Sequence, residues 1–83
     1  MEALMLYLLL REKALFKELL DVLEVTPGNL DSHLKALERA GYVKLYKVFA
    51  DRPRTAVRIT GKGTEETLRY LRVLRSVVER LEG

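Results

Sequence analysis

Asn29, Ser32, Lys35 and Arg39 recur at three- and four-residue spacing, so in a helix they share one side. These side chains hydrogen-bond well. Asn pairs bidentately with adenine, Ser bonds to several base edges or to phosphate, and Lys prefers guanine or phosphate. Pro27 and Gly28 stand just before them. Gly28 allows close approach of a backbone, and the open N–H groups of a helix start attract phosphate. Further along, Arg52, Arg54 and Thr55 surround a proline-marked turn. Arginines at the tip of a turn suit a minor groove, where narrow A·T-rich segments concentrate negative potential. His33, at the edge of the helical set, could bond a phosphate. Its place beside a leucine seam better suits a partly buried packing residue with one satisfied nitrogen.

The elements that must hold these residues are legible in turn. Thr26 is a good N-cap, Pro27 suits the first helical position, and Leu30, Leu34 and Leu37 form a narrow apolar stripe. Gly41 ends that helix where a left-handed residue is needed. Before it, Phe16, Leu19, Leu20 and Leu23 mark the buried face of a shorter helix, and Glu24-Val25 makes the tight connection of a helix-turn-helix unit. Residues 43–50 and 55–59 have strand character around the turn Asp51-Arg52-Pro53-Arg54, which makes a basic hairpin. Thr55, Val57 and Ile59 should share one face of it, and Tyr42, Tyr46 and Phe49 should be sheet and core residues. Residues 2 to about 12 predict a helix apolar on nearly every side, either central or between subunits, and Ala14-Leu15 a very short strand. Thr60 or Thr64 caps a long last helix ending near Leu81, with Glu65 and Glu66 at its positive end.

Charge is distributed unevenly. Residues 41–63 carry Lys44, Lys47, Arg52, Arg54, Arg58 and Lys62 against Asp51 alone, whereas residues 1–40 are net acidic. A localised basic patch suggests a polyanionic partner. Solvated strands that use cations against edge aggregation leave the same trace. An ordinary amphipathic helix likewise has a polar face like that of residues 27–40, but the basic hairpin directly after it favours nucleic acid. The length of 83 residues allows one domain, and the absence of cysteine excludes disulfides and thiolate metal sites and is compatible with the cytoplasm. With one histidine, a transition-metal site has too few ligands, and no cofactor is expected. The apolar run 3–10 is too short to span a bilayer and lacks a basic lead, so neither anchor nor signal peptide is expected. Gly61-Lys62-Gly63 lacks the spacing of a phosphate loop, and no catalytic constellation stands out, so the chain does not read as an enzyme.

The pieces Phe16-Lys17-Glu18-Leu19, Thr26-Pro27-Gly28-Asn29-Leu30, Ser32-His33-Leu34, Leu37-Glu38-Arg39-Ala40-Gly41-Tyr42-Val43, Arg52-Pro53-Arg54-Thr55 and Thr60-Gly61-Lys62-Gly63 follow one another in a characteristic order. In this order the chain resembles the compact winged-helix transcriptional regulators related to the MarR and ArsR families. The resemblance implies an α+β, mostly α fold: a winged helix-turn-helix with a two-stranded β-hairpin wing and a long C-terminal helix. Within the single domain 1–83, it divides the chain into terminal helices 1–12 and 64–83, a helix-turn-helix 16–41 and a wing 43–60. It implies a homodimer on double-stranded DNA, recognition helices in successive major grooves and wings in the flanking minor grooves. The DNA contacts would be Pro27, Gly28, Asn29, Ser32, His33, Lys35, Arg39, Arg52, Arg54 and Thr55. Dimerisation through the terminal helices would use Leu4, Tyr7, Leu8, Tyr70, Leu71, Leu74, Val77, Val78 and Leu81, in keeping with their apolar surplus. The chain lacks the cysteine motif of metal-sensing ArsR proteins and is shorter than ligand-holding MarR proteins, so no sensed small molecule is expected. The alternative is a winged-helix module that uses the same helix and hairpin against another protein.

Overall fold

The structure, a computed structural model, describes residues 2–49 and 51–83. The expected end of the first hairpin strand at Ala50 lies outside the described residues. Helix α1 (Glu2–Arg11) is rich in Leu and free of Gly and Pro, and it is central: Leu4 and Leu8 are fully enclosed. Both therefore belong to the core of their own chain, which corrects their assignment to a partner-facing surface. The hydroxyl of Tyr7 donates to the Glu18 carboxylate, and this hydrogen bond, which only the protonated phenol can make, raises its pKa above the ordinary value, with desolvation adding to it. Arg11 lies over the Tyr7 ring and pairs with Glu18 at 3.6 Å.

Glu12 then takes a left-handed conformation, and the chain enters strand β1 (Lys13–Leu15). Helix α2 (Phe16–Leu23) buries Leu19 and ends on Glu24, whose N–H still donates to the Leu20 carbonyl at 3.0 Å before its left-handed backbone turns the chain away. Thr26 caps helix α3 (Pro27–Arg39) by accepting from the Asn29 N–H at 3.2 Å. The far end closes on Gly41, at φ +85°: its N–H donates to Glu38 and that of Tyr42 to Leu37, both at 2.9 Å. This double closure satisfies two carbonyls that a helix end otherwise leaves open.

Strand β2 (Val43–Phe49) pairs antiparallel with β3 (Pro53–Ile59), from Val43 opposite Ile59 to Phe49 opposite Pro53. Pro53 and Arg54 thus belong to the strand and not to the turn. Pro53 is tolerated because it is the strand's first residue. β1 pairs with the other edge of β3, giving the order β1-β3-β2. The expected two-stranded wing is therefore the free end of a three-stranded sheet. Val57 and Ile59 are buried on the face shared with Thr55, but Ala56 on the opposite face is buried too, flanked in register by Leu15 and Tyr46. The core gathers Leu4 and Leu8, Ala14, Leu19, Leu30 and Leu34, and Val43, Val57 and Ile59, so every element up to β3 contributes.

Helix α4 (Gly61–Glu82) starts three residues before the expected 64 because Thr60 is the cap. Its side chain accepts from Gly63 N–H at 3.0 Å and donates to the Gly41 carbonyl at 2.6 Å. Glu65 and Glu66 consequently lie beyond the first turn. Gly63 sits so close to the α3–β2 connection that a Cβ would collide with the Tyr42 carbonyl oxygen. Lys62 donates to the Ala40 carbonyl at 2.9 Å and stands over the Tyr42 ring. The start of α4 is thereby clamped to the end of α3.

Candidate nucleic-acid interface

The leucine stripe of α3 determines what the helix offers outward. With Leu30 and Leu34 buried and Leu37 half-buried, Gly28, Ser32, Lys35 and Arg39 project from the opposite side. Pro27, Gly28, Asn29, Ser32, His33, Lys35 and Arg39 are all exposed. His33 is therefore not the packing residue expected from its place beside the seam, because no element covers that flank of the helix. Around Gly28 there is open space even where a side chain would stand. Since Pro27 has no N–H and Thr26 satisfies that of Asn29, Gly28 carries the uncapped donor of the first turn. Lys35 pairs with Asp31 at 3.2 Å, one turn away, but both are exposed and such pairs are weak. Arg39 has no such partner among the described residues.

The hairpin places Arg52 in the open at its tip. Arg54 is only partly exposed and pairs with Asp51 at 3.5 Å, and Thr55 accepts from Lys47 Nζ at 3.0 Å. Of the three expected contacts here, Arg52 is the one with an unengaged side chain. Lys17 at the start of α2, not among the expected contacts, lines the same surface hollow as Arg52, Arg54 and Thr55 and adds a cation there. Its signal was available only after folding, since 35 positions separate Lys17 from Arg52. Phe49 also departs from expectation. It is 73% exposed, because it sits where β2 runs past the body of the domain.

One contact joins helix and hairpin directly: the Glu38 carboxylate of α3 accepts from the Leu45 N–H of β2 at 3.1 Å. Glu38 thereby fixes the wing to the helix that precedes it.

A helix-turn-helix, a β-hairpin and a small antiparallel sheet closed by the first short strand make up the winged-helix architecture. The chain belongs to the winged helix DNA-binding domain family, whose model matches residues 2–78. It is similar over 98% of its length to a solved structure described as the transcriptional regulator homologue protein from Pyrococcus horikoshii OT3, with a TM-score of 0.91, 53% identity and 81% of that chain covered. It is also 40% identical over 57 residues to the uncharacterized protein MJ0432 of Methanocaldococcus jannaschii, a match that covers 68% of this chain. That match spans 62% of the relative, less than two-thirds of its length.

Proposed function

We propose that the chain binds double-stranded DNA as a homodimer and regulates transcription, with α3 in the major groove and the wing in the adjacent minor groove. The observation that carries this reading is the capped, exposed and largely unengaged polar side of α3, followed by a hairpin with Arg52 free at its tip. In this reading Asn29 and Ser32 meet base edges, and His33, Lys35 and Arg39 meet base edges or phosphates. Pro27 and Gly28 bring the helix start against the backbone, while Arg52, Arg54 and Thr55 serve the minor groove. The membership in a DNA-binding family and the regulator homologue from Pyrococcus horikoshii OT3 support it. A cytoplasmic location fits this role. Among the described residues no helix is long and apolar enough to cross a membrane.

The homodimer is proposed to form through α4. Tyr70, Leu74, Val77, Val78 and Leu81 are exposed along it and Leu71 is half-buried, whereas the Tyr7 hydroxyl of α1 is engaged within its own chain. Two symmetric half-sites would then lie about one helical turn, ~34 Å, apart on a roughly palindromic operator. The test is the salt dependence of duplex binding. Affinity should fall steeply with ionic strength, and Arg52→Ala with Arg54→Ala should reduce the log–log slope by about two per protomer. The exposed Phe49 favours a second reading, in which helix and hairpin hold another protein. A flat salt profile that the arginine changes leave untouched would select it.

A further inference from the structure

The outer face of the sheet carries a row of three cations. Lys13 of β1 stands opposite Arg58 of β3, and Arg58 stands opposite Lys44 of β2. All three are exposed and share one face, while the next row, Ala14, Val57 and Leu45, faces the core. With strands ~4.8 Å apart, the row spans ~10 Å. Like charges placed directly opposite one another destabilise a sheet. Five other cations, Arg11, Lys35, Arg54, Arg69 and Arg75, each have a carboxylate within 4 Å. Among the described residues, Lys13, Arg58 and Lys44 have no such partner and no side-chain hydrogen bond. Protection of sheet edges accounts for Lys13 and Lys44, since β1 and β2 are the edge strands. It does not account for Arg58 on the central strand.

The row also lies in a hollow of about 720 Å³, between the sheet and the ends of α1 and α4. The size is that of a small-molecule site. Tyr46 and Thr64 add hydroxyls to its wall, and Glu12 is the one carboxylate on it, so the ionisable lining is net positive. We propose that this hollow binds a small anion of the oligophosphate class, laid across the row Lys13, Arg58, Lys44. Charge spread over ~10 Å suits a chain of phosphates better than a single carboxylate, and Arg58 offers the forked geometry that phosphate oxygens accept. No residue of α3 lines the hollow, so the site is separate from the polar side of that helix.

Titration calorimetry of the full chain with sodium tripolyphosphate, at a fixed ionic strength of ~0.15 M, tests the site. Saturable binding at one site per chain is expected. Arg58→Ser and, independently, Lys44→Ser should each weaken it about tenfold or more, and Glu12→Gln should tighten it. Arg52→Ser should leave it unchanged. Far-UV dichroism establishes that each variant is folded, and Lys44, exposed on an edge strand, keeps the test open if Arg58→Ser is not. Duplex binding by the same variants separates the two sources of phosphate. Unchanged affinity and salt slope in Lys44→Ser support a site for a free ligand. Absent saturation, equal binding by Lys44→Ser, equal loss in Arg52→Ser, or a flattened duplex salt slope in Lys44→Ser would overturn the proposal, the last by giving the row to DNA.

Discussion

The first and last helices are built from similar apolar residues and end in opposite situations. α1 touches α2, β1, β3 and α4, and that enclosure leaves Leu4 and Leu8 without contact with solvent. α4 is buried at Gly63 and Thr67, but Val73 is 58% and Leu81 82% exposed. Length explains the difference. With ten residues α1 is ~15 Å long and matches the body it crosses, while the 22 residues of α4 run ~33 Å and pass beyond it. An apolar stripe thus reports that cover is needed and not where the cover comes from. The chain supplies it for Leu4 and Leu8 of α1, with Leu10 at its end left exposed, and the proposed partner supplies it for α4.

The contrast can be broken at either end. The largest effect is expected at the enclosed helix: Leu8→Ala should cost about 2–5 kcal/mol in urea denaturation, a large part of the stability of a small domain. A cost under about 1 kcal/mol, the range of surface sites, would mean that α1 is not the enclosed helix. Next, Gly63→Ala forces a methyl against the Tyr42 carbonyl and the Ile59 side chain, 2.9 Å away, and should cost about 1–3 kcal/mol by the same measurement. An unchanged midpoint would show that α4 sits loosely on the body even at its start. Leu74→Glu acts on the uncovered stretch. It should change the stability of the isolated chain by no more than about 0.5 kcal/mol while converting a micromolar dimer to monomer in sedimentation. A wild-type chain that sediments as a monomer would remove the partner from the comparison.

The smallest effect sharpens the picture at α1. Hydrogen bonding to Glu18, then desolvation, raises the pKa of Tyr7 above its usual 10.0. Because the folded value exceeds the unfolded one, the contribution to stability is fully present below pH ~10 and is lost as pH rises through the folded value. In an ultraviolet alkaline titration Tyr7→Phe should lose an ionisation step that lies above the usual tyrosine range. A high-pH step left unaltered in Tyr7→Phe would dissociate Tyr7 from Glu18.

Local signals were readable wherever a residue's role depends on its neighbours in the chain. Thr26, Pro27 and Gly41 marked the ends of α3, and Leu30 and Leu34 its buried side, because caps and stripes are properties of a few consecutive residues. What stayed hidden depends on distant partners. Ala14-Leu15 is legible as a very short strand, but three residues are too few to show which strand it joins, so its pairing with β3 and the sheet order come only from the fold. Thr60 and Thr64 are equally good caps by type, and the contact of Thr60 with Gly41 decides between them. His33 and Phe49 have the residue types of interior positions, but nothing in the fold comes to cover them. Leu4 and Leu8 were misassigned for the converse reason, since the elements that enclose them come from later in the chain.

The clamp of Thr60, Lys62 and Gly63 on the end of α3 has a mechanical consequence. It leaves no swivel between the helix that would read a sequence and the helix that would meet a second chain. In a pair joined along α4, the crossing angle of the two last helices is geared to the distance between the readers, as the hinge of a caliper is to its jaws. A small rotation at that crossing would change the fit to a fixed site spacing without altering any residue that touches the duplex.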